Sequence, residues 1–278
     1  MKRRFAMRVL LIMFLPVLFF LRPAPVVQVA SQRMPPSYGF LGGNFTPNED
    51  AQISTYNDIS FACHFTAAEE LQSAIDEINP QNEVLVEFSR AWKDHSPSCG
   101  SIKGPWGDAE LFISLVTPLL PRLEKNWGRL FAVLLFDEPD VPHGGPEAEE
   151  LEEAVDFLHE YLPGVPIFIN WYKSKNNLRV PNVDWHSTTK GASTSSLRKL
   201  GKPMFLWWFN NESRPSLKKV KKRWQGFADY FHSGQQPEIM GLGWCCDSIT
   251  DGGPNNNSPE VNAFLAEKGL EIKAGIMQ

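Results

Sequence analysis

The chain has 278 residues, 42% of them hydrophobic and 21% charged, which excludes disorder, collagen and coiled coil as the main state. Its 27 basic and 32 acidic side chains leave a net charge of −5, which argues against nucleic acid as a partner, because phosphate binding needs a positive footprint. Aromatic residues make up 12% and nine of them are Trp, so the places where those rings fall are informative.

The N-terminus is basic at Lys2, Arg3, Arg4 and Arg8, and residues 9–21 are then apolar except for Pro16. That order of charge and apolar run is a secretory signal, and the run is shorter than the about 20 residues a spanning helix uses. Val29-Ala30-Ser31 supplies small residues for cleavage before Gln32, while the length of chain between Leu21 and that point also fits an uncleaved anchor. Residues 1–31 are therefore expected to be a signal peptide or signal anchor, with any membrane attachment through residues 5–21. Residues 32–278 are expected to be the folded domain, secreted or held facing the lumen or exterior, and monomeric. Export permits glycans at Asn44-Phe45-Thr46 and Asn211-Glu212-Ser213, and disulfides among Cys63, Cys99, Cys245 and Cys246. Cys63 and Cys99 follow neighbouring strands, so their pairing is expected first and Cys63–Cys245 next. No Cys-x-x-Cys with paired His is present, and no structural zinc is expected.

Beyond residue 37, short apolar runs alternate with helical or turn-rich stretches. Strands are predicted at 38–41, 59–65, 84–88, 130–136, 166–171, 183–187, 203–209 and 239–245. Several are apolar on both faces, notably Phe131-Ala132-Val133-Leu134-Leu135-Phe136, as suits parallel strands covered on both sides. Helices are predicted at 67–78, 108–123, 146–162, 216–232 and 258–268, the second kinked or split by Pro118 and Pro121. The fourth has a basic face of Lys218, Lys219, Lys221, Lys222 and Arg223, read as a solvated surface. Residues 172–182 read as a loop. Eight strands alternating with about seven helical stretches over roughly 240 residues is the arithmetic of an α/β (β/α)8 barrel of the TIM type, in one domain.

Barrel chemistry sits at the C-terminal ends of the strands. Those ends read Cys63-His64-Phe65, Glu87-Phe88-Ser89-Arg90 with Trp92 and His95 beyond, Asp137-Glu138-Pro139-Asp140, Asn170-Trp171-Tyr172, Asp184-Trp185-His186, Trp207-Trp208-Phe209-Asn210 and Trp244-Cys245-Cys246-Asp247. Carboxylates and Trp dominate. Carboxylates bond sugar hydroxyls, indole rings cover the flat C–H faces, and glycosidic cleavage needs two carboxyl groups. Glu138 is the expected general acid, its pKa raised against the apolar strand, and Pro139 is expected to hold it extended. Asp247 and Glu212 are candidates for the second carboxylate, with Glu87 a further one. Asp137, Arg90, Trp92, Trp171, Tyr172, His186, Trp208, Asn210 and Trp244 are the candidate substrate contacts. For Trp92, Trp171, Trp208 and Trp244 a core position is the alternative, since a barrel also takes large rings.

A long apolar strand ending in Asp137-Glu138-Pro139 at the midpoint of an eight-strand count resembles the barrel glycoside hydrolases. Their large retaining clan places an acid/base Glu at the end of the fourth strand, often before Pro, so the resemblance implies a carbohydrate substrate and that role for Glu138. Two departures stand out. The clan has Asn before the acid/base where this chain has Asp137, and it has a nucleophile Glu at the seventh strand end. This chain reads Trp207-Trp208-Phe209-Asn210-Asn211-Glu212 there, with Glu212 late and inside a glycosylation triplet.

Two rival readings share the fold. A metal-dependent hydrolase would gather His64, Glu87, Asp137, His186 and Asp247 around a divalent ion. A non-catalytic barrel would bind a glycan without cleaving it, and the missing acid at the seventh strand end fits that reading. The glycosidase reading needs no cofactor.

Overall fold

The computed structural model describes residues 37–40, 59–62, 67–92, 106–139, 145–171, 180–188, 204–207, 216–232, 239–243 and 258–274. The chain divides into two units, Met1–Ala30 and Ser31–Gln278, and every described residue belongs to the second. Residues 1–31, all four cysteines and both glycosylation triplets lie outside the described residues.

Each predicted strand forms, with ends shifted by a few residues: β1 (Ser37–Phe40), β2 (Ile59–Ala62), β3 (Glu83–Glu87), β4 (Leu130–Asp137), β5 (Ile167–Trp171), β6 (Trp185–Thr188), β7 (Met204–Trp207) and β8 (Ile239–Gly243). All pair in parallel in one sheet, in the order β1-β8-β7-β6-β5-β4-β3-β2. Strands β2 to β8 therefore neighbour one another in sequence order, while β1 lies beside the last strand. That is the cyclic order of a (β/α)8 barrel read from a seam between β1 and β2, whose Cα atoms come within 8 Å across it.

The helices follow the apolar periodicity. They are α1 (Ala68–Glu77), α2 (Ala109–Val116), α3 (Leu120–Lys125), α4 (Ala148–Tyr161), α5 (Leu217–His232) and α6 (Pro259–Lys273). The 108–123 prediction resolves into α2, a 3-10 turn at Thr117–Leu119 and α3. Pro118 and Pro121 each lack the N–H a continuous helix would use, which is why the break falls there. Asp108 caps α2 by accepting the Leu111 N–H at 2.9 Å, and the Glu150 carboxylate of α4 accepts the Ala109 N–H at the same helix end. α6 runs five residues past its predicted end. No helix among the described residues is long and apolar enough to cross a membrane.

The core lies between the strands and these helices. Leu71 and Ile75 of α1, Phe112 and Val116 of α2, Leu151, Val155 and Leu158 of α4, and Trp224 of α5 cover Val84, Val86, Val133, Leu135, Ile167 and Ile169 of the sheet. Arg129 ties the base of β4 to the end of α1, its guanidinium reaching the carbonyls of Asn79 at 3.1 Å and Ile78 at 3.3 Å. On the other face of the strands, Leu85, Ala132, Leu134 and Phe168 are buried apart from that layer. The Trp185 ring sits 5.7 Å from Phe131 and 6.5 Å from Phe168, so aromatic side chains fill part of this inner space.

Candidate active site

Two irregularities in β4 decide which of its residues face inward. Leu85 pairs with Ala132 and Glu87 with Leu134, one residue of β4 being inserted after the Val84–Leu130 pair. Further along, Leu134 pairs with Phe168 but Phe136 pairs with Ile169, so Leu135 is an insertion. Register partners share a face of the sheet. Ile167 and Ile169 lie in the helix-side core together with Val133, Leu135 and Phe136. Leu134 and Asp137, paired with Phe168 and Asn170, therefore take the inner face. Strict alternation from Leu134 would have sent Asp137 to the helix side; the bulge turns it inward.

The 3-10 turn Ser89–Trp92, which follows β3, braces this bulge. The Asp137 N–H donates to Ser89 Oγ at 2.9 Å, and the Trp92 Nε1–H donates to the carbonyl of the inserted Leu135 at 3.2 Å. The same register places Glu87 on the inner face of β3 and Ser187 on that of β6, opposite Asn170. Glu87, Asp137, Asn170 and Ser187 thus stand at the C-terminal ends of four successive strands, the end where barrel enzymes do chemistry.

Asp137 is the electrostatic centre of the group. Burial against its apolar strand, then the neighbouring Glu87 and Glu138 carboxylates, raise its pKa well above the usual carboxylate range, and the Asn170 hydrogen bond pulls weakly the other way. Asn170 Nδ2 donates to Asp137 Oδ1 at 2.6 Å, which fixes the orientation of the carboxyl group. The carboxyl whose pKa burial pushes up is thus Asp137, one residue before the acid read from the sequence.

Glu138 is not extended, as Pro139 was expected to make it. Its φ is 59°, in the left-handed region that side chains other than Gly, Asn and Asp rarely enter. Two contacts hold it there. The Glu138 N–H donates to the Asn170 carbonyl at 2.7 Å, extending the ladder one residue beyond β4. Pro139 is buried, and the glycine at 145 lies flat against it: a Cβ on Gly145 would meet the Pro139 carbonyl oxygen and come 2.7 Å from its Cα. Local strain at an acid on the strand end is a common feature of functional sites.

Three predicted contacts are placed elsewhere. Trp92 is fully buried on the helix side, stacked on Phe112 at 4.5 Å and edge-on to Phe136 at 6.1 Å, so its ring offers no face to a sugar. Trp171 and His186, each 3% exposed, lie on the face opposite to Asn170, because Trp171 alternates with it and His186 pairs with Ile169. The Trp171 Nε1–H donates to His186 Nδ1 at 3.0 Å, which puts the imidazole proton on Nε2. Tyr172, Trp208, Asn210, Glu212, Trp244, Asp247, His64 and the Arg90 side chain lie outside the described residues. Among the described residues no three His, Cys, Asp or Glu side chains are arranged to hold a metal ion. Asn170, Ser89, Gly145 and Ser187 were given no role from the sequence; the one signal available was Asn170, a lone polar residue within an apolar strand.

No protein-family model matches the chain, and no curated protein matches it. Solved structures do. A β-D-glucuronidase from Dictyoglomus thermophilum is 12% identical with a TM-score of 0.54 over 81% of this chain and 46% of its own. A β-glucuronidase from Ruminococcus gnavus, in complex with D-glucuronic acid, is 11% identical with a TM-score of 0.56 over 84% of this chain and 49% of its own. A GH10 endoxylanase from a sugarcane soil metagenome is 10% identical with a TM-score of 0.51 over 84% of this chain and 97% of its own. The chain spans about half the length of the two glucuronidases. The likeness is one of fold alone.

A carboxyl group whose pKa is raised on folding destabilises the native state as pH climbs from the unfolded value, about 3.9, through the folded one. Asp137→Asn keeps the shape and removes the titration, so it is expected to leave stability unchanged near pH 3.5 and to raise it progressively toward pH 7, as read by denaturant unfolding across that range. At position 138, Gly is expected to be more stable than Ala by about 1 kcal/mol, because Gly alone enters the left-handed region without strain. Thermal melts of Glu138→Gly and Glu138→Ala compare the two directly.

Proposed function

We propose that the chain is a glycoside hydrolase that cleaves a glycan at the C-terminal mouth of the barrel, with Glu138 as proton donor to the leaving oxygen. The observation that carries this reading is the convergence of Glu87, Asp137 and Glu138 at the ends of β3 and β4, with the Asp137 pKa pushed up by burial and by the two neighbouring acids. Glycosidic cleavage asks one carboxyl to be protonated and another ionised, and the crowding that raises the Asp137 pKa disfavours ionising all three acids together, so a proton is available within the cluster for Glu138 to deliver. A protonated Asp137 presents an O–H donor where the resembled clan presents the N–H of Asn, and the upward push on its pKa favours that form. Glu87 is the described candidate for the second carboxylate, beside Asp247 and Glu212. Tyr172, Trp208 and Trp244 are proposed to cover the sugar's C–H faces. Fold likeness to glucuronidases and an endoxylanase supports a glycan as the substrate class. Export, with residues 1–31 as signal or anchor, is proposed on the basic and apolar order of that segment.

A non-catalytic glycan-binding barrel is the second reading, favoured by the absence of an acid through Asn210 after β7. One variant separates the two. If Glu138 donates the proton, Glu138→Gln is expected to lower kcat on the hydrolysed glycan by about 10²–10⁴-fold while sugar binding persists, because the amide keeps the shape without the proton. Turnover equal to wild type contradicts the acid role. Binding by both forms with turnover by neither selects the binding barrel.

A further inference from the structure

The hydroxyl of Ser187 is fully buried, at 0% exposure, and Oγ has no hydrogen-bond partner. Burying a hydroxyl without a partner is costly, and Ala would fill the same strand position without that cost. A Ser kept in this state points to a partner that the free protein lacks. Its surroundings indicate the kind of partner. Ser187 is opposite Asn170, and Asn170 is opposite Asp137, all on the inner face of adjacent strands near their C-terminal ends. Neighbouring strands lie about 4.8 Å apart, so the three side chains form a polar row about 10 Å long. The row presents a carboxyl, an amide and a hydroxyl in succession. That is a set of hydrogen-bonding groups able to meet neighbouring hydroxyls along one edge of a sugar. Asn182 also has a buried oxygen without a partner, but it precedes β6 at the opposite end of the strands, and its amide nitrogen is bonded to the Glu152 carbonyl.

We infer that Ser187 belongs to the ligand site: its hydroxyl extends the row of Asp137 and Asn170 and takes a hydroxyl group of the bound glycan. The inference rests on the glycan reading above and adds a binding residue to it. Ser187 acts on binding and takes no part in proton transfer.

The test joins two measurements on Ser187→Ala. The free variant is expected to melt a few degrees above wild type, since it sheds an unpartnered buried hydroxyl. Its affinity for whichever of xylotriose, laminaritriose and mannotriose binds the wild type is expected to fall about tenfold, by calorimetric titration. Ser187→Thr, which keeps the hydroxyl, is expected to bind more tightly than Ser187→Ala. A free variant that melts below wild type, or affinity unchanged in Ser187→Ala, overturns the inference and leaves the glycan reading intact. Wild-type protein that binds none of the three trisaccharides rejects the glycan reading, and the inference with it.

Discussion

The site depends on one inserted residue in β4. Leu135 breaks the alternation of an otherwise regular strand, so that Phe136 stays with the helices and Asp137 turns into the barrel. The insertion is costly unless its freed backbone groups find partners. Those come from the turn after β3, through Ser89 Oγ to the Asp137 N–H and Trp92 Nε1–H to the Leu135 carbonyl. Trp92 therefore serves the site from behind. Asn170 completes the arrangement from β5, its side chain on Asp137 and its carbonyl on the Glu138 N–H. Without these braces Asp137 would face an apolar layer, where a carboxyl has no place.

Much of the fold was legible in the residues. Strands such as Phe131 to Phe136 are covered on both faces, so each reads as an apolar run, and the eight runs fell where eight strands form. The Pro118 and Pro121 break was legible because a missing N–H acts locally. The side-chain directions were not. Apolar runs without alternation say nothing about which residue faces the barrel, and a bulge leaves no mark of its own in a sequence like Leu-Leu-Phe. Trp92 and Trp171 were read from chemistry as substrate contacts with the core as the equal alternative, and the register sends both to the helix side. Glu138 was expected extended from its following Pro, but the carbonyl of Asn170 and the close approach of Gly145 set its backbone, and both are tertiary contacts. Asn170 is a single polar residue in an apolar strand and Ser187 stands between His186 and Thr188, and their importance comes from the register that aligns them.

Likeness of fold to glycoside hydrolases at 10–12% identity gives the scaffold and no chemistry of its own. Three half-buried carboxyl groups at the strand ends, one of them with its pKa pushed well up and hydrogen-bonded in a fixed orientation, repel one another at a cost in stability. Their electrostatic cost, the left-handed turn at Glu138 and the unpartnered hydroxyl of Ser187 fall on adjacent strands at one end of the barrel. Stability is given up repeatedly at one place, as a binding or catalytic site requires.

The most direct measurement of this account is a crystal structure of Glu138→Gln with an oligosaccharide that the wild type cleaves. The account predicts a sugar unit lying along Asp137, Asn170 and Ser187, with its glycosidic oxygen about 3 Å from the amide at position 138. A sugar bound away from the ends of β4 to β6, or a side chain at 138 turned toward the helices, would contradict it.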